Sequence, residues 1–216
     1  MIEIISKRMG TYLSQKISAT PKENAAIVYG LQIILGAVLK GIFLLLTAYL
    51  LGILFPMLVV MGTASYLRIL SGGAHFSTYY RCLCAGLLVF NGLGYLTVVL
   101  TEMYNHLYMI PILMLVTLTG MIVAYKYAPA DAVKKPNKDN KKKNLLKDLS
   151  IAFIIVWYST IMLLVNPLAV NFYWKAIVIA SSLGIIWQSL TITPLGFKLY
   201  GAIDNFLDKF TLRRWS

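Results

Sequence analysis

The sequence predicts an all-α fold: a polytopic membrane helix bundle of about six spans, with amphipathic interfacial helices at its N- and C-termini. Three observations carry that prediction. Of 216 residues, 59% are hydrophobic and 13% are charged, against about 45–50% and about 25% in soluble domains. The apolar excess lies in runs long enough to cross a bilayer, which takes about 20 residues per helix. The formal charge of +12 is gathered at the two ends and in one central segment.

Residues 1–24 read as an amphipathic N-terminus. Ile5, Met9, Tyr12/Leu13 and Ile17 recur at helical spacing, with Lys7, Ser14 and Lys16 elsewhere on the wheel, the pattern of a helix lying in a leaflet. No small-residue cleavage site follows a short apolar run, so no signal peptide is expected. The stretch 25–70 is long enough for two spans, with a turn inside 51–56. Further apolar runs at 82–100, 107–127, 149–165 and 174–193 supply four more. Residues 25–127 thus hold four spans, 128–148 form a basic loop and 149–193 hold two spans. The last stretch, 194–216, returns to an amphipathic pattern, with Leu199, Ile203, Phe206 and Phe210 beside Asp204, Asp208 and Lys209. There is no internal repeat, and 1–216 reads as one membrane domain.

Six spans place both termini on one side. Lys7, Arg8, Lys16 and Lys22, the Lys-rich segment 130–147, and Lys198, Lys209, Arg213 and Arg214 all fall there, with Arg68 and Arg81. The opposite loops, near Gly52, Tyr104 and Asn171, hold almost no Lys or Arg apart from Lys175. The positive-inside rule therefore predicts cytoplasmic termini and a cytoplasmic 68–82 loop.

That loop holds the most informative pair. The chain has two His and two Cys, and His75 stands seven positions before Cys82. A His is the usual base for a cysteine nucleophile, and an ionisable group beside a membrane is a functional candidate. On one continuous helix the two lie about 10 Å apart, too far for a hydrogen bond. The sequence supplies a break: Gly72-Gly73 loosens the chain, and Ser77 or Thr78 can cap a new helix. Cys82 then falls near its first turn, where the dipole favours a thiolate, with Arg81 adding positive charge. Cys84, rotated about 200° from Cys82, reads as a small buried hydrophobe. Spacing alone also fits an interfacial histidine beside an inert thiol. Glu23 and Asp131 are the acids that could orient His75, although nothing local links them to it. Cys82 and Cys84 are too few for a disulfide framework, and C-x-C is not a zinc signature.

The segment Arg68-x4-Gly73-x-His75-x6-Cys82, followed by Tyr127-Ala-Pro-Ala-Asp-Ala-Val-Lys-Lys-Pro136, resembles the accessory gene regulator protein B (AgrB) family. These are bacterial membrane cysteine endopeptidases that process quorum-sensing peptide precursors, and the resemblance covers nearly the whole chain. It implies that His75 is the general base and Cys82 the nucleophile, with Arg68 and Gly73 in support. Arg68 would either grip a substrate carboxylate or hold the loop. Lys134, Lys135, Lys141, Lys142 and Lys143 match the family's basic loop and would attract an acidic peptide tail or anionic lipid; as a solvated topogenic loop they need no further role. The implied substrate is an AgrD-like pro-peptide. Cleavage would leave a thioester on Cys82, and an internal Cys or Ser of the peptide would then close a thiolactone or lactone. The implied setting is the cell membrane of a Gram-positive bacterium.

No cofactor, metal or nucleic-acid partner is expected; membrane lipids are. Gly92 and Gly94, or Gly30 and Gly36, would serve packing within one bundle or a homo-oligomer equally well. The alternative function is a transporter or exporter of a small peptide, with Lys40, Asn91 and Gln188 along a path. A sensor binding metal through His75 and Cys82 has too few ligands within one chain. A lipid-modifying enzyme lacks an acidic metal-binding cluster.

Overall fold

The computed structural model describes residues 2–103, 108–130, 140–164 and 172–212. Eight α-helices follow in order: α1 Ile2–Lys16, α2 Pro21–Leu50, α3 Leu54–Ser71, α4 Tyr79–Met103, α5 Met109–Tyr127, α6 Asn140–Leu164, α7 Phe172–Ile192 and α8 Pro194–Leu212. No strand occurs among the described residues. Helices α2 to α7 are each long and apolar enough to cross a membrane, so this is a multi-pass membrane protein. The turn between the first two spans falls at 51–53, inside the interval the sequence indicated.

The chain divides into two compact units, Met1–Thr47 and Ala48–Ser216. In the first, α1 turns inward a stripe of small residues, Ser6, Gly10 and Ser14. The Ser14 hydroxyl donates to Asn24 Oδ1 at 2.8 Å. The apolar positions Ile5, Met9, Leu13 and Ile17 face outward, as a lipid-facing surface requires. Thr20, Pro21 and Glu23 start α2 with a capping box: Glu23 Oε2 accepts from the Thr20 N–H and hydroxyl, both at 2.8 Å. Glu23 is thereby committed to its own helix end.

In the second unit α7 is the central element, packed against α3, α4, α5 and α8. Its buried positions are mostly small: Ala176, Ala180, Ser181, Ser182, Gly184 and Ser189. A Cβ at Gly184 would lie 2.8 Å from the Val60 carbonyl oxygen of α3, so only hydrogen lets those backbones approach. Between membrane helices, where lipid is as apolar as leucine, such close packing carries the association. Leu67, Leu113, Val116, Ile154, Trp157 and Ile185 form the apolar core where α3, α5, α6 and α7 meet.

One sequence expectation changes here. The segment read as a basic loop over 128–148 is helical from Asn140, so Lys141, Lys142 and Lys143 stand on the first turn of α6 rather than in a loop. Lysine is a good helix former, and Lys147 packs its ammonium 3.8 Å from the centroid of the Tyr125 ring on α5. Lys134, Lys135 and Asp131 lie outside the described residues. Helix α4 starts at Tyr79, directly after the Thr78 that the sequence offered as a cap, so the apolar run from Cys82 begins inside the helix.

Candidate active site

Helix α3 ends where the sequence places its break. Gly72 has φ 70° and Gly73 has φ 136°, values that favour glycine. The strand-like turn that follows is tied down from three directions. The Ala130 N–H donates to Ser71 O at 2.8 Å, the Gly73 N–H to Ala130 O at 3.3 Å, and the Ala74 N–H to Thr191 O at 3.1 Å. Gln188, fully buried on α7, donates from Nε2 to Ser71 Oγ at 3.0 Å and to Gly72 O at 2.7 Å. Thr191 Oγ1 in turn donates to Gln188 Oε1 at 3.0 Å. Gln188 therefore builds the loop. Its amide is committed to that role.

Beyond the loop the chain re-enters a helix. The Cys82 N–H donates to Thr78 O at 3.1 Å, so Thr78 occupies the cap position and Cys82 closes the first turn of α4. Cys82 is partly buried. Cys84 is exposed, against the expectation that it would be a buried hydrophobe. It lies on the wall of an apolar cleft of about 1070 Å³ formed with Phe76, Leu88, Trp187, Leu199 and Phe206. A bundle bathed in lipid does not need to turn every apolar side chain inward.

Arg68, in the last turn of α3, gathers the site. Its Nη2 donates to Ala74 O and to His75 Nδ1 at 3.2 Å, and the guanidinium also bonds the Tyr200 phenol from α8. A guanidinium only donates, so Nδ1 accepts, and the neutral ring carries its proton on Nε2. Burial pushes the Tyr200 hydroxyl above its usual value, the nearby Cys82 charge adds to the shift, and Arg68 opposes it. Tyr200 thus remains a neutral phenol at neutral pH, close to both Arg68 and Cys82. Of the two roles open to Arg68, the geometry is that of loop holding. A lysine has no planar fork with which to reach Ala74, His75 and Tyr200 together. Arg68→Lys is expected to lower turnover about tenfold to a hundredfold, the equivalent of one or two charged hydrogen bonds, in a membrane cleavage assay. Unchanged turnover would reduce Arg68 to an anchor.

Helix α8 supplies contacts that the sequence did not announce. Asp204 Oδ2 accepts from the Ser77 N–H at 2.8 Å, and Oδ1 from Arg81 Nη1 at 3.0 Å. Arg81 Nη1 also reaches Asp204 O at 3.2 Å, and its Nη2 reaches Asp208 at 2.5 Å. The Phe76 and Tyr200 rings stack with centroids 4.5 Å apart. Arg81 is therefore engaged by α8 rather than free beside the thiol. Burial disfavours the Asp204 carboxylate, but the Ser77 N–H and Arg81 outweigh it and hold its pKa below the usual range. This charged contact is therefore complete above about pH 3.9 and is lost only as pH falls through the lowered value. The Leu199, Ile203 and Phe206 face of α8 lines the cleft, while the side chain of Phe210 is outside the described set. Among the described residues, no group of three His, Cys, Asp or Glu side chains could hold a metal.

Known proteins resemble this chain over most of its length. Residues 6–192 match the family model of Accessory gene regulator B. A putative AgrB-like protein of Clostridium perfringens (strain SM101 / Type A) is 29% identical over 97% of this chain and 99% of its own length. Accessory gene regulator protein B of Staphylococcus intermedius is 28% identical over 88% of this chain and 92% of its own. No solved structure matches. With the family model covering most of its length, the chain belongs to the accessory gene regulator B family, whose members act in quorum sensing.

Proposed function

We propose that this protein is a membrane cysteine endopeptidase that cuts an AgrD-like pro-peptide, with Cys82 as nucleophile and His75 as its proton carrier. The observation that supports this most is the convergence on Tyr200. It bonds Arg68, which contacts His75, and it lies near enough to Cys82 to interact with it electrostatically. The helix break between them, with Cys82 on the first turn of α4, supports the same reading.

The chemistry follows from those groups. His75 takes the thiol proton on Nδ1, which requires that lone pair to exchange its bond from Arg68 for the thiol while Arg68 stays on Ala74 O. The Cys82 sulfur attacks the scissile carbonyl, and the imidazolium returns the proton to the departing amine. The products are a free C-terminal fragment and a thioester on Cys82. The thioester retains acyl activation, so an internal Cys or Ser of the peptide can close a thiolactone or lactone without ATP. The apolar walls beside the site limit hydrolysis. Backbone N–H groups at the start of α4 are the natural oxyanion donors.

The termini and this site face the cytoplasm in the reading that the Lys and Arg distribution favours. Ala130, which precedes the basic segment in sequence, pairs with Gly72 beside the site. The charge of that segment, with Lys134, Lys135, Lys141, Lys142 and Lys143, suits capture of an acidic peptide tail.

The test is co-expression with a candidate pro-peptide, then mass spectrometry of the intact membrane protein. A peptide adduct on Cys82 that hydroxylamine removes is the expected result, and it gives the cleavage site directly. An uncut precursor and an unmodified Cys82 in correctly inserted protein would favour a peptide exporter.

A further inference from the structure

We propose that Asp204 is a positioning residue of this site: from α8 it pins the loop bearing His75 to the first turn of the helix bearing Cys82, and so sets their separation. The proposal rests on the reading that these two side chains act together. They stand on opposite sides of a helix break, and a break that lets a chain fold back also leaves the two halves free to drift. Asp204 spans it. One carboxylate oxygen takes the Ser77 N–H, ahead of the α4 cap, and the other takes Arg81, one residue before Cys82. The backbone carbonyl of Asp204 bonds the same guanidinium, and Arg81 also touches Ser77 Oγ at 3.4 Å. The pin is therefore a closed ring of contacts rather than one ion pair.

Exposure ranks the two acids. The Arg81 and Asp204 side chains are 13% and 14% exposed, whereas Asp208 is 56% exposed. Solvent screens the outer pair, so it contributes little; the shielded one fixes geometry. A shift of about 1 Å in a reacting group can cost about a hundredfold in rate, so a pin at this point acts on turnover rather than on substrate affinity.

The sign of the effect separates positioning from simple electrostatics. A carboxylate near a thiol disfavours the thiolate. If charge were all that mattered, removing Asp204 would make Cys82 more reactive. Positioning requires the reverse, and it requires asparagine, which keeps an acceptor for Ser77, to do better than alanine.

The experiment uses the full-length chain in membranes, carrying Cys84→Ser so that Cys82 is its one thiol. Two quantities are read: kcat and KM for pro-peptide cleavage, and the rate of Cys82 alkylation by iodoacetamide. Asp204→Ala is expected to lower kcat about a hundredfold with KM nearly unchanged. Asp204→Asn is expected to recover to within about tenfold of the parent. In alkylation, Asp204→Ala should fall to the rate of His75→Ala. Unchanged kcat, a loss carried by KM alone, an asparagine variant as poor as alanine, or alkylation that stays the same or accelerates would each overturn the proposal. The alkylation arm needs no substrate. If the parent does not cleave, or Cys82→Ser still does, the endopeptidase reading fails while the rate of Cys82 alkylation still decides the role of Asp204.

Discussion

Cys82→Ser is expected to lower pro-peptide cleavage by at least about 10⁴-fold, the scale on which losing a covalent nucleophile acts, while Cys84→Ser keeps most activity. The two thiols are two residues apart and offer the same chemistry; only placement separates them. Cys82 closes the first turn of α4, beside Tyr200 and next to the Asp204-bound Arg81. Cys84 points into the apolar cleft, on the wall with Trp187 and Leu199. Serine preserves the shape at position 82, so lost activity with normal membrane insertion isolates the thiol. Activity retained in Cys82→Ser and lost in Cys84→Ser would transfer the nucleophile to the cleft and reverse the assignment.

Gly73→Ala is the second large effect expected, and here the cause is steric. At φ 136° an L-residue is strained, at about 1–3 kcal/mol. A new Cβ would also stand 2.9 Å from Thr191 Oγ1 and 3.4 Å from Gln188 Nε2. Neither neighbour can yield cheaply. Thr191 holds Ala74 through its carbonyl, and Gln188 holds Ser71 and Gly72. Relief would come from moving residues 72–75, which carry His75. Turnover is expected to fall by about 10²-fold or more, in line with that strain and displacement. His75 would remain chemically intact, and the helices would still insert. A Gly73→Ala variant with wild-type turnover would show that the turn is not what places His75.

The spans were legible because hydropathy is a local signal, and so was the helix break, because Gly72-Gly73 and Thr78 act within their own turn. What the sequence withheld lies far apart along the chain. Asp204 meets Ser77 across 127 positions and Gln188 meets Ser71 across 117; no periodicity records such contacts. Asp204 and Asp208 were visible as neighbours on one helix face, but their partner Arg81 was read as free charge beside the thiol. Glu23 and Asp131 were only candidates for an acid that orients His75, and Asp131 lies outside the described residues. Glu23 caps α2, and one neighbour of the His75 ring is a cation, Arg68. The Ala-Pro-Ala stretch after α5 was recognisable as a pattern, yet its purpose became visible only when Ala130 paired with Gly72. Cys84 shows the opposite error: its rotation from Cys82 was computed correctly, but inward and outward exchange meaning in a lipid-facing bundle.

The small-residue seam of α7 has a consequence for how such a protein can change over time. In a water-soluble core the forbidden replacement is the polar one. At Ala176 and Ala180 serine is tolerable in principle and leucine is not, and Gly184 admits neither, since volume rather than polarity decides whether α3 and α7 still meet. Lipid-facing positions such as Ile122 or Leu163 obey the converse rule and accept any apolar shape. Lineages of this protein should therefore drift freely in size on the outside and hardly at all along that seam. A saturation scan scored for membrane insertion would sort the two classes by side-chain volume alone.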